Sequence, residues 1–312
     1  MNNILKNVRI NFNYLMSSPK VIDTSFCYRR DVPGSGSPVA LVLLNCEGPL
    51  DTSFSPFLRA LWHTASLRLC ADGAASRLYH SLVAGASAPS SSAGASTPTA
   101  SSAPPSAAAA AALQAYLPDA IVGDWDSIDS AAEAYYRAAG VPLHPAPEDQ
   151  DSTDLEKCLA HLLARAAPLG GAGLRVVIAG SFGGRLDHTV QNLNCLYKWS
   201  PAFEALAMVT QHSAAVLLPA GASSVRVAWP YEGPTCALLP LGGPSQLTTH
   251  GLQWDLAGTP SQFGGMVSTS NCVLGWGQGV APIPVAASQP VIWTINVNAA
   301  AVGGGQQEQA EA

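Results

Sequence analysis

The sequence predicts an α/β domain built on a parallel, Rossmann-like sheet, followed by an all-β sandwich domain. Three observations carry this reading. Short apolar runs alternate with helical periods from Val39 to Thr210, the pattern of βαβ units around a parallel sheet. Several of these runs end in polar loops rich in Asp and Gly. Beyond Ser213 the helical periods stop, and short strands alternate with Pro/Gly turns about every 8–12 residues, as in a sandwich.

At 312 residues the chain is long enough for about two domains. The expected division is a leader or disordered segment over 1–37, the α/β domain over 38–212, the sandwich over 213–299 and a disordered tail over 300–312. The net charge of −6 and the 12% charged content give no general attraction for nucleic acid or anionic lipid. No run reaches the ~18 apolar residues of a membrane span. The seven cysteines are scattered, with no C-x-x-C pair, which points to reduced core thiols and not to a disulfide framework or zinc site. Five basic residues (Lys6, Arg9, Lys20, Arg29, Arg30) stand against Asp23 in the first thirty. That is a partial transit-peptide signature, and the expected location is cytoplasmic, with organellar import left open.

Residues 31–38 are Pro/Gly/Ser punctuation. Val39–Leu44 is an apolar run of strand length, and Phe54–Thr64 carries Phe57, Leu58, Leu61 and Trp62 at helical spacing. Leu67–Ala71 is the next strand, ending at Asp72-Gly73, and Ala74–Val83 the next helix. Residues 85–112 hold mainly Ala, Ser, Pro, Thr and Gly. They read as a disordered surface insertion, tolerated because closure entropy grows slowly with loop length. The apolar run after Pro118 ends at Gly123-Asp124-Trp125-Asp126. A helix over Ser130–Ala139 is followed by an extended Val141-Pro142-Leu143, and a strong helix over Thr153–Ala167 has Ser152 or Thr153 as its cap. Leu174–Ala179 is the most β-like run and leads into Gly180–His188. Thr189–Trp199 is helical, and Ala205–Thr210 is another strand. The sandwich strands are Ala214–Leu218, Ser223–Ala228, Thr235–Leu239, Leu247–Thr249, Met266–Thr269 and Val291–Val297.

The chemistry concentrates in four loops: Ala71-Asp72-Gly73, Gly123–Asp126, Asp149–Asp154 and Gly183–His188. Any one acidic pair is explained as well by turns and helix caps. Together they are different, because loops that follow strands in βαβ units share the carboxyl edge of the sheet, where ligands bind. Two acidic clusters near one edge suit Mg²⁺, which prefers carboxylates plus substrate phosphates. Gly183 and Gly184 leave N–H groups open at a helix start, an anion site, and Arg185 supplies a fork matched to phosphate. His188 is a candidate general base, phosphate contact or cap. This is the inventory of phosphoryl transfer. No Walker A motif and no G-x-G-x-x-G after a strand is present. In the second domain, Trp254 and the row Ser268-Thr269-Ser270-Asn271 suit a flat heteroaromatic ligand. A core sandwich Trp beside a Ser/Thr-rich strand is the alternative.

Six motifs now stand in order: Cys70–Tyr79, Gly123–Ile128, Asp149–Asp154, Gly183–His188, Gly251–Trp254 and Phe263–Asn271. Over Val39–Ile295, the 85–112 insertion aside, the chain resembles eukaryotic thiamine pyrophosphokinase (thiamine diphosphokinase). The resemblance implies a homodimer with active sites between subunits, and Mg²⁺-dependent transfer of pyrophosphate from ATP to the hydroxyethyl oxygen of thiamine, giving AMP. It implies Asp124, Asp126 and Asp151 as metal ligands, with Asp72 a further catalytic carboxylate in the same crevice. It also implies Asp154, Gly183, Gly184, Arg185, Asp187 and His188 at ATP and its phosphates. Thiamine falls to Gln150, Trp254, Ser268, Ser270 and Asn271. The alcohol proton falls to Asp151 or Asp126. Ala74, Ala75 and Ser76 depart from the family's usual Gly-Ala or Gly-Gly pair and Asn, and Trp125 is larger than usual; these touch the fine geometry of the loops. Two other functions fit parts of the pattern. A non-catalytic thiamine- or nucleotide-binding protein would need only the binding loops. A haloacid-dehalogenase-like phosphatase is suggested by Asp124-Trp125-Asp126, although Ile128 departs from that motif.

Overall fold

The computed structural model describes residues 18–29, 37–45, 54–87, 106–149, 151–166, 173–277 and 281–304. In chain order these form β1 (Lys20–Asp23), β2 (Val39–Leu43), α1 (Pro56–Thr64), β3 (Leu67–Ala71), α2 (Gly73–Ser87) and α3 (Ala107–Ala115). Next come β4 (Ala120–Gly123), α4 (Ser130–Ala138), β5 (Leu143–Pro145), α5 (Asp154–Ala166), β6 (Arg175–Ala179), α6 (Leu186–Trp199) and β7 (Ala205–Val209). The remaining strands are β8 (Ser213–Leu218), β9 (Gly221–Arg226), β10 (Glu232–Leu239), β11 (Ser245–Thr249), β12 (Ala257–Ser261), β13 (Ser268–Cys272), β14 (Ile283–Ala287) and β15 (Val291–Val297), before α7 (Ala299–Gly304). Two compact units result: Phe26–His212 with the chain from Val297, and Ser213–Asn296 with the described residues before Phe26.

The first unit is the expected α/β domain. Its strands run in the order β7-β6-β2-β3-β4-β5, and every pair is parallel. Strands buried on both faces need continuous apolar sequence; Ala40–Leu43 and Val176–Ala179 are accordingly buried throughout. The order reverses between β2 and β6, so the loops after these strands flank the switch point, where such sheets take ligands. Local signals set the helix starts. Ser55 accepts the Leu58 N–H ahead of Pro56, and Asp129 accepts those of Ala131 and Ala132. Thr153 and Glu156 exchange reciprocal bonds at α5, a capping box.

In the second unit one sheet runs β1-β9-β14-β11-β12, and a second group runs β13-β10-β15-β8. Burial alternates along β11 and β14, as expected where one face of a strand meets a core. The cores are built from Val225, Leu247 and Val285 in the first, and Cys236, Leu238, Trp293 and Ile295 in the second.

Four expectations are corrected. The leader reading of 1–37 fails at Lys20–Asp23, which pairs in parallel with β9; Thr24 donates to buried Glu232 at 2.7 Å, and Phe26, Cys27 and Tyr28 are buried. The disordered reading of 85–112 fails at both ends. Helix α2 runs to Ser87, and the alanine run forms α3, capped by Ser106, with Ala109 and Leu113 buried. Alanine has the highest helix propensity, and its small side chain allows close packing against α2. The tail expected from residue 300 instead forms α7 against α1, where a side chain at Gly303 would come within 2.9 Å of Pro56. Strands β12 and β14 were not expected, because Pro260 and Pro284 argue against regular strands. The expected segments 1–17, 88–105 and 305–312 lie outside the described residues.

Candidate active site

The carboxyl ends of β3 and β4 bring the first two acidic loops together. Ala71 lies opposite Val122, and the Asp72 N–H donates to Val122 O at 3.0 Å. The chains are so close here that a Cβ at Gly123 would stand 2.5 Å from Asp72 Cβ. Glycine is required at that contact. Asp72 itself turns with φ of 38° and Trp125 with φ of 71°, a left-handed conformation costing a bulky residue about 1–3 kcal/mol. The turn at Trp125 cancels the strand alternation, so Asp124 and Asp126 face one point. Carboxylate oxygens of Asp72, Asp124 and Asp126 lie within 4.8 Å of one another.

Asp72 is fully buried. Its Oδ2 accepts the Ser127 N–H at 2.9 Å, while Oδ1 has no hydrogen-bond partner among the described residues. A buried, unpartnered carboxylate oxygen costs free energy, and a cation would supply its missing partner. Burial, with the charges of Asp154, Asp126 and Asp124, pushes the Asp72 carboxyl up to about 6 against the Ser127 N–H. The Ser127 hydroxyl bond and the Asp72 side chain hold Asp126 below its ordinary value. Hard oxygen donors of this kind fit Mg²⁺.

The Asp72 shift fixes a pH dependence. Without metal, the folded state binds a proton that the unfolded chain, at 3.8, releases. This stability is therefore complete below pH ~3.8 and is lost as pH rises through ~6. Asp72→Asn in EDTA should flatten that decline and exceed the parent's stability at pH 7.5 by about 1–3 kcal/mol, read from urea midpoints. An unchanged slope between pH 4 and 6.5 would show that Asp72 does not titrate in this window.

Asp154 begins α5. Burial and the charge of Asp124 raise its pKa, with Lys157 opposing. Lys157 was not singled out from the sequence. Its side chain is only 3% exposed, with Nζ 3.0 Å from Asp124 Oδ2 and 3.5 Å from Asp154 Oδ1. Burial would lower its pKa, but the two carboxylates outweigh that and raise it. The only sequence signal is its i+3 spacing from Asp154.

Asp151 is not in the group formed by Asp72, Asp124 and Asp126. Asp149 takes the N–H groups of Asp151 and Ser152 and the Ser152 hydroxyl, forming a separate turn with Asp151 exposed. Gln150 lies outside the described residues.

After β6, Gly183 and Gly184 take φ of 109° and 63°, leaving the start of α6 exposed. Asn192 fastens the loop by donating to Ser181 O at 2.9 Å. Arg185 forks onto Asp187, with Nε 3.1 Å from Oδ1, and each holds the other charged. Asp187 and His188 occupy the first turn of α6, both exposed.

In the second unit Trp254 is 57% exposed, so the core-tryptophan alternative is excluded. Asn271 is 2% exposed and bonds the Trp254 main chain from both sides, accepting its N–H at 3.1 Å and donating to its O at 2.8 Å. Asn271, expected as a ligand contact, holds the loop that presents Trp254. Ser268 is buried on β13, whereas Ser270 is exposed with φ of 55°.

Comparison with known proteins agrees with this geometry. The family model described as thiamin pyrophosphokinase, catalytic domain, matches residues 58–209, and that described as thiamin pyrophosphokinase, vitamin B1 binding domain, matches 224–281. Thiamine pyrophosphokinase 1 of Arabidopsis thaliana is 34% identical over 276 residues, covering 88% of this chain and 92% of its own. Thiamine pyrophosphokinase 1 of Oryza sativa subsp. japonica is 32% identical over 260 residues, covering 83% and 87%. The crystal structure of yeast thiamin pyrophosphokinase shares the fold, with a TM-score of 0.70 at 22% identity over 91% of this chain and 93% of that one. Acidic loops at one sheet edge, an exposed tryptophan on a β domain and sequence likeness across both units lead to one assignment: the chain belongs to the thiamin pyrophosphokinase family.

Proposed function

We propose that this chain transfers the diphosphate group of ATP to the hydroxyethyl oxygen of thiamine, releasing AMP, at the edge formed by β3, β4 and β6. The observation that carries the proposal is the convergence of Asp72, Asp124 and Asp126, with one buried Asp72 oxygen unpartnered among the described residues. These three would hold Mg²⁺, which when bound supplies charge neutralisation to the phosphate oxygens. The exposed Gly183-Gly184 loop offers N–H groups to phosphate. Arg185 exchanges Asp187 for a phosphate at little cost, since both side chains are already at the surface. The alcohol proton passes to Asp126 or Asp151, both exposed carboxylates.

Thiamine selection belongs to the second unit. Trp254 offers a face for stacking, Ser268 and Ser270 offer hydroxyls, Gln150 is a further contact, and Asn271 keeps Trp254 in place. The chain acts as a homodimer in this reading, each site taking its thiamine-binding side chains from the partner subunit. Phe263 in the second unit is 63% exposed and Leu186 on α6 of the first 76%, apolar side chains that association would cover. Six cysteines form no disulfide among the described residues, which supports a cytoplasmic location. Among the described residues no helix is long and apolar enough to cross a membrane.

The deciding experiment measures AMP release from ATP with thiamine and Mg²⁺ each added or withheld. AMP that appears only with both is the expected result. AMP without thiamine would indicate a phosphohydrolase, and its absence under all conditions a binding protein.

A further inference from the structure

We infer that Lys157 is a positioning residue that divides the acidic cluster, keeping Asp154 and one oxygen of Asp124 away from the metal so that the ion stays weakly held until the nucleotide arrives. The inference rests on the metal site proposed above and adds a control on its affinity. Lys157 is too buried to meet a substrate phosphate, with a side chain 3% exposed, so a direct phosphate contact is ruled out. Its Nζ instead lies 3.0 Å from Asp124 Oδ2 and 3.5 Å from Asp154 Oδ1. The other oxygen of Asp124 faces the Asp126 N–H at 3.4 Å. Asp124 is thus held at both ends, and Asp154 is drawn to the lysine.

Charge explains why this matters. Asp72, Asp124 and Asp126 lie within 4.8 Å of one another, and Asp154 shares Lys157 with Asp124. Four carboxylates without a counter-cation would encage a divalent ion. Mg²⁺ in phosphoryl-transfer sites instead keeps coordination positions for substrate phosphates. A fixed internal cation reduces the pull on the ion and leaves coordination positions for the phosphates.

The test is direct binding of Mn²⁺, without nucleotide, followed by the EPR signal of the free ion. Lys157→Met should bind Mn²⁺ about tenfold more tightly than the parent, because a nearby positive charge is gone. At saturating metal its kcat should fall by about 30-fold or more, with the KM for ATP changed less than about threefold, the signature of an interaction used after binding. Lys157→Arg, which keeps the charge, should restore weak Mn²⁺ binding. Should Lys157→Met fail to fold, the comparison is made between Asp154→Asn and Asp154→Asn/Lys157→Met, where one buried charge of each sign is removed and the double variant should bind more tightly. Unchanged or weaker Mn²⁺ binding on loss of the lysine in a folded protein would overturn the inference and leave the metal site standing. No Mn²⁺ binding by the parent, with or without ATP, would overturn both.

Discussion

Replacing Asp124 by asparagine is expected to lower turnover about a thousandfold or more, while the protein remains folded. Asp124 is the carboxylate shared between the two halves of the cluster. It approaches Asp72 and Asp126 on one side and accepts from Lys157 on the other. Asparagine keeps the shape and an acceptor for the lysine but removes the charge that a divalent ion requires. The fold should tolerate it, since Lys157 keeps Asp154 at 3.5 Å and the repulsion on Asp72 is reduced. The measurement is kcat from AMP release, beside circular dichroism and a urea midpoint. A folded Asp124→Asn protein with near-normal turnover would remove Asp124 from the metal set.

The second large effect is expected at Gly123→Ala, through backbone proximity and not charge. The added methyl would stand 2.5 Å from Asp72 Cβ, 3.1 Å from its Cα and 3.2 Å from Asp154 Oδ1. The two Asp72 atoms are not the loose end of a flexible side chain, and the Asp72 main chain is tied to Val122. Strands β3 and β4 must therefore separate or Asp72 must rotate, at a cost of about 2–4 kcal/mol. Turnover should fall about a hundredfold as the three carboxylates lose their common focus. A drop in urea midpoint together with lost metal activation is the expected pair of readouts. A variant with parental stability and activity would show that the close approach of the two strands has no functional weight.

The sequence made the parallel sheet legible because buried strands must be continuously apolar, and Leu41–Leu43 or Val176–Ile178 have few other uses. It also made the position of the acidic loops legible, since parallel strands place their following loops on one edge. Lys157 was hidden for a physical reason. Its partner Asp124 comes from another strand, and nothing within α5 distinguishes a lysine turned inward from one in water. The bonds from Asn271 to the main chain of Trp254 were not legible, because they span a loop. Strand β1 was hidden because Lys20–Asp23 is half polar and finds its partner, β9, some two hundred residues away. Asp72, and not Asp151, groups with Asp124 and Asp126, because the Asp149 turn takes up the local chain while the end of β3 pairs with β4.

Strand β1 also sets a limit on trimming at the N-terminus. Any protease that shortens the chain can cut ahead of Ser18 without touching a described element. A cut a few residues later removes an edge strand from β9 and takes the Thr24 hydroxyl from both carboxylate oxygens of Glu232, whose residue is 1% exposed. The limit of N-terminal trimming is therefore set by hydrogen bonding inside the second unit, far along the chain from the segment being cut.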